Sequence, residues 1–289
     1  MNKKIIDDVY KFLDELQSND DYTEIHTKIR ECKILLQQIQ NYSHKSNAKP
    51  LESNENLFQF EETEGHMVIK KYIGFDDEKI TIPSLHNGKP ITKIEERAFE
   101  NCTDLQEIVL GDEVWYIGEY AFSGCKSLVS VTSKNVSMID DYAFQDCAED
   151  EYLEFYDENN KLEHIGDYAF YGTAVSNIDY INLEWIGDNA FSGSDGEIAE
   201  LILPDSLTHI GDYAFDAIYY DGALVIPSNV NHIGDGAFRM CFPEITKIYS
   251  KDVYIGEGAF EDEVTIYCYK ESSAQKYCRE NKIKHKQIK

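Results

Sequence analysis

No run of about 18 apolar residues occurs in this chain of 289 residues, so no segment reads as a membrane-spanning helix and membrane insertion is not expected. Positive charge is scarce: 27 Lys and Arg stand against 54 Asp and Glu, a net of −27. The deficit is concentrated in residues 51–266, which hold 12 basic and 44 acidic side chains, whereas 267–289 hold seven basic residues and two Glu. Such a surface repels phosphate backbones, which argues against nucleic-acid binding. It favours cationic partners or divalent ions, or it serves only to keep a long molecule soluble. The seven cysteines are odd in number and form no Cys-x-x-Cys pair, so neither a disulfide framework nor a zinc site is expected. No Walker loop, Gly-x-Ser-x-Gly, His-Glu-x-x-His or dinucleotide fingerprint occurs, so neither an enzyme nor a cofactor is expected. Residues 1–20 start with basic Lys3 and Lys4, but Asp7, Asp8, Lys11, Asp14 and Glu15 interrupt any apolar core, so no export signal is expected there.

What is present is repetition. A hexapeptide reads Ile94-Glu95-Glu96-Arg97-Ala98-Phe99, then Ile117-Gly118-Glu119-Tyr120-Ala121-Phe122, and returns at 139–144, 165–170, 186–191, 210–215, 233–238 and 255–260. Successive Phe positions are 23, 22, 26, 21, 24, 23 and 22 residues apart. A fixed period in this range means a solenoid whose coils bury their apolar faces only by stacking. Ile and Ala-Phe point inward, Gly permits a tight or positive-φ bend, and the acid after it caps the short helical turn that follows. A second pattern alternates apolar residues about nine positions after each Phe, as in Leu105 to Leu110, Leu201-Ile202-Leu203-Pro204 and Leu224-Val225-Ile226-Pro227. Alternation marks strands with one buried face, and stacked coils would join them into one long parallel sheet. Cys102, Cys125, Cys147 and Cys241 each fall three residues after a motif Phe, one slot in four coils, and read as small buried residues with free thiols.

This repeat resembles the BspA-like leucine-rich repeat family over roughly residues 57–289. Asn101-Cys102-Thr103-Asp104-Leu105 and Gly124-Cys125-Lys126-Ser127-Leu128 match the family's step between repeats. The resemblance implies a leucine-rich-repeat solenoid, a strand-rich right-handed β/α superhelix, and a non-enzymatic interaction or cell-surface adhesion role. Glu95 and Asp140 depart from the motif by standing where other copies carry Gly.

The ends are different. Ile5, Val9, Phe12, Leu13 and Leu16 form one helical stripe, and Tyr22, Ile25, Ile29, Cys32, Leu36 and Ile39 form a second, with Ser18 to Asp21 as the turn. Residues 1–45 are therefore expected to be a helical hairpin, with 46–56 a polar linker and 57–289 the solenoid of eight repeats with terminal caps. The hairpin either caps the solenoid or serves as a docking or homo-oligomerising element through residues 4–42. Ile80-Thr81-Ile82-Pro83 and Val264 to Tyr267 read as terminal strands, Asn87-Gly88 as a turn, Ser272 to Asn281 as a helix and Ile283 to Ile288 as a closing strand.

Two surface rows stand out as places for a protein or glycan partner. The residue before the motif Ile is Lys93, Tyr116, Met138, His164, Trp185, His209, His232 and Tyr254, which makes either a stabilising stack or a binding stripe. Outward positions of the alternating strands are expected to be Glu107/Val109, Ser130/Thr132, Tyr152/Glu154, Asn177/Asp179, Glu200/Ile202, Ala223/Val225 and Lys247/Tyr249. From these rows the candidate contacts are Tyr152, Asp179, Ile202, Val225 and Tyr249 on the strand face, with Tyr116, Trp185, His209 and His232 on the stripe. An assembly protein that oligomerises through the hairpin is the alternative function.

Overall fold

Why the hexapeptide forms a coil is visible in its backbone. The structure, a computed structural model, describes residues 55–149, 151–177, 181–193, 197–198, 201, 203–220, 222–243 and 245–288. The expected hairpin, the linker up to residue 54, and Asp179 and Ile202 lie outside these residues. Each motif Ile and the residue before it form a two-residue strand, from Tyr116–Ile117 to Tyr254–Ile255. These strands pair in parallel and in register, for example Trp185 with His209 and Ile186 with Ile210. They extend an eleven-stranded sheet that starts with Phe58–Thr63, His66–Tyr72 and Lys89–Ile94.

The β/α expectation fails in the body of the coils. After each Ile the chain makes a turn, and the one helix among the described residues is α1, Ser273–Glu280. The reason lies at the fourth motif position. Arg97, Tyr120, Tyr142, Tyr168, Asn189, Tyr213, Gly236 and Gly258 all have φ between 53° and 61°. A left-handed residue cannot propagate a right-handed helix, so the turn closes after one bend. Ala and Phe then swing inward.

The motif Phe rings form the core. All eight are buried, and successive rings from Phe99 to Phe260 stack with centroids 4.9 to 5.4 Å apart. The column is closed at both ends. Tyr72 stacks on Phe99 at 5.5 Å, and Tyr277 of α1 packs edge-on to Phe260 at 6.2 Å. The helix appears where the sequence predicts one, and Ser272 caps it by accepting from the Gln275 N–H. The cysteine slot is buried at Cys125, Cys147 and Cys241 and half-buried at Cys102. The thiols of Cys125, Cys147 and Cys241 also donate to the Phe carbonyl one coil back, at 3.0 to 3.1 Å. Thr173 fills the slot and makes the same bond at 2.6 Å.

Among the described residues the alternating strands fall into three groups rather than one sheet. They make a five-stranded group (Lys79–Thr81, Glu107–Val109, Ser130–Ser133, Leu153–Asp157, Val175–Asn177) and a pair (Glu197–Ile198, Tyr219–Tyr220). A four-stranded group follows, of Ala223–Ile226, Ile245–Ile248, Thr265–Cys268 and Lys284–Gln287. One coil holds both Tyr219–Tyr220 and Ala223–Ile226. Gly222, with φ 102°, bends it there, so that coil ends one group and starts the next. Leu201 and Leu203 are buried but belong to no strand, and Pro204 beside them has no N–H to pair. Glu55 and Asn56, at the end of the expected linker, belong to a 3-10 turn, Glu55–Leu57.

Candidate interaction surfaces

The acid ladder works between coils. The Oδ1 atoms of Asp141, Asp167, Asp188, Asp212 and Asp235 accept the backbone N–H of the next coil's acid at 2.7 to 2.8 Å. This corrects the expectation that each acid caps its own turn. It also changes the role of the Gly. Motif Gly211 has no positive φ, but a Cβ there would lie 2.5 Å from Asp188 Oδ1 and from the Gly187 carbonyl carbon. The position needs Gly because the previous coil's acid comes so close. Where the preceding coil carries Glu119, the following coil carries Asp140 in place of Gly, and Asp140 Oδ1 accepts the Asp141 N–H at 3.0 Å. Burial raises the carboxyl pKa of Asp141 and Asp188, outweighing the N–H each accepts.

The row before the motif Ile is a ring stack. His164, Trp185, His209, His232 and Tyr254 follow one another with centroids 5.9, 3.5, 4.3 and 4.9 Å apart and planes within 18°. Tyr116 lies further along the row, beyond Met138, with its hydroxyl donating to Asp140 and Lys93 Nζ 5.3 Å from its ring centroid. Burial and the adjacent His232 lower the His209 pKa to about 4, so its imidazole is neutral at ordinary pH. The parallel rings of His209 and His232 keep their nitrogen lone pairs in stacked planes that do not converge on one ion. Trp185 and Tyr254 keep 39% and 57% exposure, so the stack also offers ring edges to solvent.

A second ladder was not anticipated. Tyr120, Tyr142 and Tyr168 stack at 4.6 and 4.9 Å, with the Arg97 guanidinium 4.2 Å from the Tyr120 ring centroid. The signal was in the sequence: Tyr recurs at the fourth motif position. Its left-handed φ was the missing piece.

On the strand face the candidates divide. Tyr152 is exposed but precedes its strand, Leu153–Asp157, whose outward pair is Glu154 and Tyr156, set by pairing of Glu154 with Ser130. Val225 is half-buried and pairs with Lys247, which pairs with Tyr267, which pairs with Lys286. Tyr249 lies just beyond its strand, with its ring 6.4 Å from that of Tyr269. Together Tyr249 and Tyr269 flank an open cleft of about 440 Å³ lined by Ser228, Asn231, Lys251 and Asp252. The sequence reading missed Tyr267, Tyr269 and Lys286, although Tyr-x-Tyr and Lys-x-Lys at strand spacing point them to one face.

Among the described residues no helix is long and apolar enough to cross a membrane, and no group of three or more His, Cys, Asp or Glu is placed to hold a metal ion. A family profile described as a BspA type leucine rich repeat region matches six copies over residues 74–195 and 150–267. No curated protein matches the sequence. Similar solved structures include a leucine rich repeat protein of T. pallidum, 19% identical, with 82% of this chain and 98% of that one covered and a TM-score of 0.34. A leucine rich cell surface protein of Faecalibacterium prausnitzii is 21% identical, with 76% of each chain covered and a TM-score of 0.43. A leucine-rich repeat protein of Bacteroides ovatus is 17% identical, with 82% of this chain and 77% of that one covered and a TM-score of 0.39.

Proposed function

The chain belongs to the BspA type leucine rich repeat family, and from that premise we propose that it is a non-enzymatic interaction module of the adhesion type. Its partner, a protein or a glycan, docks on the strand face. The observation that carries this reading is the register. Parallel pairing fixes Val225, Lys247, Tyr267 and Lys286 side by side across four strands, so one face carries a rigid mixed aromatic and charged row. A rigid array of aromatic and cationic groups loses little side-chain freedom on binding, which suits recognition. The ring stack through Trp185 serves chiefly as a clamp between coils.

The test compares capture of a partner by the full chain and three variants. Tyr152→Ala with Tyr249→Ala should weaken capture while stability stays within about 1 kcal/mol, as for surface positions. Trp185→Ala should lower stability without lowering capture. Capture that survives the double change but is abolished by deletion of residues 1–50 would move recognition to the N-terminal segment and defeat the strand-face reading.

A further inference from the structure

In the last coils Lys270 and Lys276 pair with Glu271 and Glu280 at 3.6 and 3.8 Å, but three other lysines have no carboxylate partner among the described residues. Elsewhere many cations sit beside carboxylates: Lys79 Nζ lies 2.6 Å from Glu107, Lys126 3.0 Å from Glu149, Lys134 2.7 Å from Asp112, and Arg239 2.6 Å from Asp216. Among the described residues no carboxylate lies within 4.0 Å of the ammonium of Lys251, Lys284 or Lys286. Two of these cations sit over rings instead. Lys251 Nζ is 5.3 Å from the centroid of Tyr269, and Lys286 Nζ is 5.2 Å from that of Tyr267 while donating to its hydroxyl at 3.0 Å. Ring contacts hold an ammonium in place without neutralising it.

The same surface contains the cleft that Tyr249 and Tyr269 help to line. Their rings meet at 63°, and the volume of about 440 Å³ falls in the range of small-ligand sites. Ser228 and Asn231 line it with exposed side chains that form no hydrogen bond within the described chain. Asp252 adds one carboxylate acceptor. Aromatic faces beside hydroxyl, amide and carboxylate groups match a sugar ring, which has an apolar C–H face and a rim of hydroxyls. The unpaired lysines match a negative charge on that sugar. Residues 51–266 carry 44 acidic against 12 basic side chains, which repels a long polyanion and selects a short one.

We infer that the C-terminal strand face is a binding site for a short anionic saccharide. Tyr249 and Tyr269 stack on the sugar, Ser228 and Asn231 bond its hydroxyls, and Lys251 and Lys286 hold its carboxylate or sulfate. This deepens the interaction-module reading and rests on its strand-face part.

The experiment is calorimetric titration of the full chain with four probes: trigalacturonate, a sulfated heparin tetrasaccharide, uncharged cellotetraose and a hexaglutamate peptide. At least one acidic sugar should bind saturably and more weakly as salt rises, and which one binds identifies the anion. Binding should fall about tenfold or more in Tyr269→Ala and in Lys286→Gln, with cellotetraose about tenfold or more weaker than the acidic sugar. Thermal melts confirm that both variants fold. Failure of both acidic sugars, undiminished binding by the variants, or equal and equally sensitive binding of hexaglutamate would overturn the inference. So would sugar-independent self-association that Lys286→Gln abolishes, because the occupant would then be a second copy. If no sugar binds but these variants lose capture of a protein partner, the saccharide inference fails and the interaction-module reading stands.

Discussion

A single methylene separates the acids that join coils from those that do not. Asp141, Asp167, Asp188, Asp212 and Asp235 each reach the next coil's N–H, whereas Glu119 leaves that bond to Asp140. The sequence showed that an acid recurs there. It did not show which N–H the acid serves, because that partner is a coil away in space. Burial raises the Asp188 pKa, so the folded state favours its protonated form. That contribution is complete below the ordinary 3.8 and is lost as pH rises through the raised value. Asp188→Asn keeps the acceptor without the charge and should match or exceed the parent at pH 7 in denaturant unfolding. Asp188→Ala should lose about 0.5–2 kcal/mol. A specific, saturable rise in melting temperature with calcium, beyond the effect of equal ionic strength, would mean that the ladder also binds an ion.

At the scale of the element, the coil is a two-residue strand, a left-handed turn and an inward Phe. Period and burial were legible because Ile and Phe recur with unbroken spacing. The turn was not, since Arg97, Tyr120, Tyr142, Tyr168 and Tyr213 are residue types that seldom adopt positive φ. Nor was the reason for Gly, which is the closeness of the neighbouring coil. Gly211→Ala should therefore destabilise by about 1–3 kcal/mol through overpacking, and a neutral result would refute the close-approach account. The ring stack has its own signature. The His209 pKa lies near 4, below the ordinary 6.5, so the folded state favours neutral imidazole. Its contribution is complete above pH 6.5 and is lost as pH falls through about 4. A histidine NMR titration should give His209 a midpoint near 4, and one at the ordinary 6.5 would mean that the ring is not sandwiched.

Across the molecule, stacking joins the coils into a single core that no coil could form alone. The caps were legible: the Asn87-Gly88 turn, α1 and the closing strand Lys284–Gln287 all appear where expected. The break between the second and third strand groups was not, because it depends on how Gly222 bends one coil. The candidate site was half legible. Val225 and Tyr249 lie on the face of that row, but the lysines and tyrosines of the last strands become one surface only when the register is known. All of this depends on one claim, that the eight motif Phe rings form a continuous buried column. Equilibrium unfolding of Phe170→Ala tests it most directly. Phe170 is fully buried between Phe144 at 5.2 Å and Phe191 at 5.4 Å. The account predicts a loss of about 3–5 kcal/mol, and a loss below about 1 kcal/mol, the scale of a surface change, would contradict it.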